Sequence, residues 1–155
     1  MDGYALNLDS AKAWCERNNI PYLFSEALNQ IAIPRGKDQR WMIRIIPRAD
    51  RKMCTMVMPI PLKVPQDRYD VVREAITLAN STIFMGAWVL NSSKGEVYFR
   101  VTVPTEEVLY SDNSMRFLLQ VIIGTVERMG EGLRKIVQEG ADVSAIRQVA
   151  AAKPD

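Results

Sequence analysis

Side-chain catalysis needs a base, a nucleophile or a set of metal ligands, and this chain offers few of them. It has no histidine, which removes Ser-His-Asp and Cys-His catalysis, HExxH centres and the common zinc sites. Its two cysteines, Cys15 and Cys54, lie far apart without C-x-x-C spacing. They read as free, reduced thiols of a cytoplasmic protein and cannot close a metal site alone. Glu106 and Glu107 beside Asp112 form an acidic grouping, but a charged loop entering a helix N-terminus explains them, because the helix dipole favours carboxylates there. Gly124, Gly130 and Gly132 fall inside a helical pattern, so they make no phosphate-cradling loop. Carboxylate, lysine or tyrosine chemistry stays open in principle. The expectation is a non-enzyme with no metal and no cofactor.

Binding residues are more visible. Arg35, Lys37, Arg40, Arg44, Arg48, Arg51 and Lys52 face only Asp38 and Asp50 within one stretch. Such charge either guards a sheet edge against aggregation or docks an acidic protein or a nucleic acid. Met42, Met53, Met56 and Met58 crowd the same stretch, and methionine serves both irregular cores and adaptable surfaces. Edge guarding by the basic residues and core packing of the methionines are the preferred readings; the candidate partner-binding set, should the stretch dock a partner, is Arg35, Arg40, Arg44, Arg48, Met56 and Met58. Tyr98 and Arg100 share a strand face, as aromatic and basic residues do on RNA-binding sheets, but one such pair is little.

These residues need elements to position them. Asp67–Asn80 carries Val72, Ala75, Ile76 and Ala79 at helical spacing, with Asp67 able to cap its start and Asn80 to stop it. Phe84–Leu90 and Val97–Val103 alternate with period two around the polar turn Asn91–Gly95, which reads as a hairpin. Before them, Met1–Asn19 offers a helix capped by Asp9 or Ser10, with Ala11, Trp14, Cys15 and Asn18 on one face. Leu28–Ile33, Trp41–Ile46 and Met53–Met58 read as three strands, with turns at Pro34–Lys37 and Pro47–Lys52. Pro59, Pro61 and Pro65 place the following segment off the sheet edge or across it. A long helix follows Ser111–Ser114, its stripe running through Leu118, Val121, Ile122, Thr125, Met129, Leu133, Ile136 and Val137. Within it Gly124 offers a close approach to another element, and Gly130 with Gly132 offers a bend or break. Asp142 or Ser144 starts a last short helix.

The chain has 155 residues, 48% apolar and 25% charged, with net charge +2. That is ordinary globular material, too weakly basic to require nucleic acid. No stretch reads as a signal peptide or a membrane span. Residues 1–150 read as one α+β domain and 151–155 as a frayed tail.

The order α-β-β-β-α-β-β-α, with the helix ending at Asn80, the strand Gly86-Ala87-Trp88-Val89-Leu90 and the return strand Gly95-Glu96-Val97-Tyr98-Phe99-Arg100, resembles the YbjN-like family of bacterial proteins. That family has the fold of type III secretion chaperones. The resemblance implies a small cytoplasmic regulatory or sensory protein, a homodimer, with no catalytic residues to carry over. Secretion chaperones are usually acidic, whereas this chain is slightly basic. The fold expected is a single antiparallel sheet of about five strands with helices on one face. The function expected is a non-enzymatic, homodimeric protein-binding or regulatory module. The alternatives are nucleic-acid binding through residues 35–52 and a small-molecule sensor with its pocket between sheet and helices.

Overall fold

A computed structural model describes residues 3–35 and 41–151, with side chains described as far as Arg147. The first helix, α1 (Leu8–Arg17), buries Ala11, Trp14 and Cys15. Its cap is Asn7, not Asp9 or Ser10: the Asn7 side chain accepts from the Ser10 N–H while the Ser10 hydroxyl accepts from the Asn7 N–H, both at 2.9 Å. This reciprocal pairing satisfies two donors that a helix start leaves open. The Trp14 indole donates to the Asp112 carbonyl at 3.2 Å, and Arg17 pairs with the Asp112 carboxylate at 2.6 Å, so α1 is pinned to the start of a distant helix.

Six strands follow: β1 (Leu23–Ser25), β2 (Gln30–Arg35), β3 (Trp41–Arg48), β4 (Met53–Pro59), β5 (Ala87–Asn91) and β6 (Glu96–Pro104). They form one antiparallel sheet in the order β1-β2-β3-β4-β6-β5. The strand absent from the expected five is β1, whose three residues are too few to show a period. Four strands contain proline, and each proline stands where its strand has only one neighbour. Pro34 lies past the start of β1, Pro47 past the start of β2, Pro59 beyond the last pair of the β3–β4 ladder and Pro104 past the start of β5. A proline nitrogen can face a vacant side without losing a ladder bond. Pro34 and Pro47 are thus still strand; the second expected turn follows at Ala49–Lys52, Gly36 and Lys37 of the first lie outside the described residues, and β4 lies inside the sheet, with Pro59 at its end.

The remaining helices are α2 (Tyr69–Asn80), α3 (Asp112–Gln138) and α4 (Ser144–Ala151). Contacts of α1 with β2 and β3, of α3 with β4 and β6, and of α2 with β5 place helices along the sheet. The strand residues beneath them are buried in alternation: Ile43 and Ile45, then Cys54, Met56 and Met58, then Val97, Phe99, Val101 and Val103. Burial of this kind stabilises by about 1.5–3 kcal/mol per large apolar side chain. Trp88 and Phe99 sit with ring centroids 5.5 Å apart, and the Trp88 indole N–H points to the Met129 sulfur at 3.4 Å.

Two side chains hold α2 in place. Asp67 does not cap it; residues Gln66–Arg68 form a 3-10 turn instead, and Arg68 reaches to the C-terminal end of the helix Asp112–Gln138. Its guanidinium donates to the Ile136 carbonyl at 2.8 and 3.1 Å and to the Ala141 carbonyl at 2.7 Å. Carbonyls at a helix C-terminus have no partner within the helix, and a cation suits the dipole there. At the other end, Asn80 is the last helical residue and Ser81 follows in right-handed geometry. Asn80 therefore does not stop the helix by a left-handed turn. Its side-chain amide accepts from the Trp88 N–H at 2.8 Å and donates to the Trp88 carbonyl at 3.1 Å.

The chain then reaches Gly86, at φ +82, where an added Cβ would stand 2.6 Å from the Phe99 ring and 2.7 Å from the Arg100 carbonyl. Strand geometry cannot begin until after this crossing. Phe84 therefore lies outside the strand it was expected to open, and it is fully exposed.

The long helix α3 starts at a Ser111–Ser114 capping box and runs 27 residues without a break. Gly130 and Gly132 do not end it. Gly124 faces open space, whereas a Cβ at Gly132 would come within 3.0 Å of the Ala145 carbonyl oxygen and of Ile146 Cδ1. The close approach of a second element, α4, is at Gly132 and not at Gly124. Asp142 accepts from the Ser144 N–H at 2.8 Å just before α4, which continues to Ala151.

Two measurements check this account. Gly124→Ala should raise unfolding stability by about 1 kcal/mol, the usual helix-interior difference. Gly132→Ala should lower it, because a carbonyl of α4 must move. Urea midpoints shifting in the same direction for both would contradict the packing. Separately, burial pushes the Cys15 thiol up to about 11 and the Cys54 thiol up to about 12. Both stay protonated through neutral and mildly alkaline pH, and the thiolate is the nucleophile. Iodoacetamide at pH 8 should leave the folded chain unlabelled and modify both cysteines in urea; labelling of the native chain at the rate of a free thiol would contradict their burial.

Candidate functional site

Because strand side chains alternate between faces, the residues between the buried ones make a second face on the sheet, opposite the helices. In β3 these are Arg44, Ile46 and Arg48; in β4, Met53, Thr55 and Val57; in β6, Tyr98, Arg100 and Thr102. Register joins them into rows. Arg44, Val57 and Arg100 lie side by side across three strands, which sets the two arginines about 10 Å apart at the usual strand spacing. The next row is Ile46, Thr55 and Thr102, with the two threonine hydroxyls 3.3 Å apart.

These rows floor a trough of about 910 Å³. Five cations line it (Arg44, Arg48, Arg51, Lys94 and Arg100) against Asp50 and Glu96. Arg51 and Asp50 stand 3.8 Å apart, both strongly exposed, and such a pair is worth little. Arg44, Arg48 and Arg100 are exposed while Ile46, Val57 and Tyr98 are half-buried. The result is a cationic rim over a partly apolar floor, able to take a chain that alternates acidic and apolar side chains.

The sequence-derived candidates divide between two sides of the sheet. Arg44 and Arg48 belong to the trough. Arg35 pairs with Trp41 on the helix side, at the mouth of a cavity of about 470 Å³ between α3 and the sheet. Met58 is 3% exposed and forms part of that cavity's floor. Met56 is wholly buried beneath the helices and is core, not partner surface. Arg40 lies outside the described residues. The basic stretch is thus not one patch, and Lys52 is drawn away from it to Glu106 at 2.6 Å. Asp112 is held by Arg17, which keeps its carboxyl below the usual range, so Glu106 and Asp112 are drawn to separate cations.

Two apolar groups were not anticipated. At one sheet edge Leu23, Phe24 and Leu28 are exposed, with the Lys12 ammonium 3.6 Å from the centre of the Phe24 ring. At the other, Met85, Leu109 and Phe117 share a depression next to Phe84, and no charged residue lines it. Exposed apolar clusters of this kind mark interaction surfaces. Among the described residues no group of side chains is arranged to hold a metal ion, and no helix is long and apolar enough to cross a membrane.

Comparison with solved structures shows the same fold elsewhere. YbjN from E. coli superposes with a TM-score of 0.67 at 6% identity, over 84% of this chain and 95% of that one. A chain of the ExsC–ExsE complex matches with a TM-score of 0.55 at 9% identity, over 80% of this chain and 94% of that one. A chain of the HopA1–SchA chaperone–effector complex matches with a TM-score of 0.53 at 15% identity, over 79% of this chain and 88% of that one. The type III chaperone-like fold implied by the sequence is thereby found. Curated proteins give no match. The family model described as "YbjN: Putative bacterial sensory transduction regulator" matches residues 7–135, and the chain belongs to that family.

Proposed function

We propose that the chain is a non-enzymatic regulatory module of the cytoplasm that binds an acidic, partly apolar segment of another protein in the trough of its open sheet face. The observation that carries this reading is the uncovered face itself, where Arg44 and Arg100 flank Val57 and Tyr98 stands nearby. Membership of the YbjN family and likeness to chains found in protein complexes support it. A nucleic acid would need stacking platforms as well as cations, and this face offers one aromatic ring, Tyr98. Of the original candidates, Arg44 and Arg48 serve this role.

The module works as a homodimer, and its seat is the uncharged patch of Phe84, Met85, Leu109 and Phe117. Pairing two troughs would set Arg44, Arg48 and Arg100 against their own copies, and like charges in contact are costly. Pairing the uncharged depression meets no such repulsion.

Fluorescence anisotropy with a labelled peptide of alternating Glu and Leu, beside a single-stranded oligonucleotide, tests the trough. The peptide should bind, and Arg44→Glu with Arg100→Glu should weaken it at least tenfold, mainly by slowing association. Both residues are exposed, so the thermal midpoint should hardly move. Tight oligonucleotide binding with steep salt dependence, and none of the peptide, would replace this reading with nucleic-acid recognition. For the dimer, light scattering on a sizing column should give twice the 17.6 kDa chain mass. Phe84→Ser with Leu109→Ser should return one chain mass without loss of fold; a wild-type monomer at tens of micromolar would remove the dimer.

A further inference from the structure

The cavity between α3 and the sheet is not used by the reading above, and it lies on the opposite side of the sheet from the trough. Its floor is apolar. Met58, Ile60 and Val126 are each at most 4% exposed, and Trp41 is half-buried beside them. Gly130 lines this space without a side chain to enter it. A Cβ there would meet Val126 Cγ1 at 3.7 Å and Trp41 Cη2 at 3.9 Å, ordinary contacts, so only a longer side chain would enter the void. Its volume of about 470 Å³ falls within the range of small-molecule sites.

The polar part of the cavity is sparse and divided in sign. From α3, Glu127, Glu131 and Arg134 follow one another at helical spacing along the cavity wall. Arg134 is already committed: it donates to Glu131 at 2.7 and 2.9 Å, to Glu139 at 2.7 Å and to Gln138 at 3.2 Å. That leaves two charged groups in the cavity lining, Arg35 from β2 and Glu127 from α3, both exposed. Neither forms an ion pair with another described residue. A simple acid would be held by Arg35 but repelled by Glu127, and a simple amine would meet the reverse. A molecule carrying both charges on one apolar body satisfies both groups.

We infer that this cavity binds a free α-amino acid with a large apolar side chain. The carboxylate pairs with the Arg35 guanidinium, whose fork suits it. The ammonium pairs with the Glu127 carboxylate. The side chain lies over Trp41 and Met58, an aromatic face and a polarizable thioether that accept rings and aliphatic chains alike. This site is independent of the trough, so either can fail without the other.

The test titrates the full chain with L-phenylalanine, L-methionine and L-leucine, reading tryptophan fluorescence and the thermal midpoint. Saturable binding of at least one, with a rising midpoint, is expected. L-Phenylalaninamide, which lacks the carboxylate, and N-acetyl-L-phenylalanine, which lacks the ammonium, should each bind at least about tenfold more weakly than L-phenylalanine, as expected for a lost charge-assisted contact. Arg35→Gln should weaken L-phenylalanine and the N-acetyl compound while sparing the amide. Glu127→Gln should weaken L-phenylalanine and the amide while sparing the N-acetyl compound. Gly130→Leu should abolish binding by filling the cavity while helix propensity preserves the fold; if that variant does not fold, the two exposed substitutions decide alone. No saturable binding of any of the three amino acids at millimolar concentration would overturn the proposal. So would equal binding of L-phenylalanine and its two derivatives, or binding that survives in a folded Gly130→Leu chain.

Discussion

Alternate side chains of a strand point to opposite faces, and in this molecule the helices all lie on one of them. That asymmetry governs the rest. The covered face is free to be apolar, and Ile43, Ile45, Met56, Phe99 and Val101 are each 1% exposed or less. The other face must remain tolerable to water without a partner, which favours arginine and threonine standing between half-buried aliphatic residues. Arg44 and Arg100 keep long apolar stems on the sheet and their charges in solvent. The same side chains keep this face from pairing with its own copy, while the uncharged depression around Phe117 lacks any such defence.

Coverage by helices also has to be fixed at its ends. α3 is the longest element, and three polar contacts hold it. Arg17 and the Trp14 indole engage Asp112 at its start, and Arg68 takes the Ile136 carbonyl near its end. The ion pair at the start is exposed and salt-screened, so the charged contact at the end matters more; hydrogen bonds to a charged donor contribute about 1.5–3 kcal/mol. Because Arg68 comes from the segment that leads into α2, the placement of one helix fixes the other. The cavity at Gly130 lies between these two anchored ends, where the helix bridges the sheet without a side chain of its own to fill the gap.

Much of this was legible in the sequence, and the parts that were not share a cause. Helical stripes were read well because Leu118, Ile122, Thr125 and Met129 recur over several turns and reinforce one another. Strand faces were read well only where one set is polar. In β4 both sets are apolar, with Met53, Thr55 and Val57 against Cys54, Met56 and Met58, so alternation alone leaves the buried set undecided. From one strand to the next the parity is lost altogether, and Arg35 and Arg44, nine residues apart in sequence, end on opposite faces. The row joining Arg44 to Arg100 depends on β6 lying beside β4, a long-range pairing that no local pattern encodes. Phe84 fits a period-two run by type, yet the positive φ of Gly86 breaks that run two residues later. Gly132 and Gly124 look alike in sequence, and only the arrival of α4 separates them.

The side chain of Asn80 gives β5 something that an edge strand ordinarily lacks. It presents one acceptor and one donor to Trp88 in the order a neighbouring backbone would, so a single residue acts as the next strand of the sheet. This substitute depends on chemical identity and not on shape. Hydrolysis of the amide to aspartate would put an oxygen where the donating nitrogen stands, facing the Trp88 carbonyl, and turn an attraction into a repulsion with almost no change in volume. Aspartate at this one position would thus leave the core packed while unsealing the outer strand of the sheet.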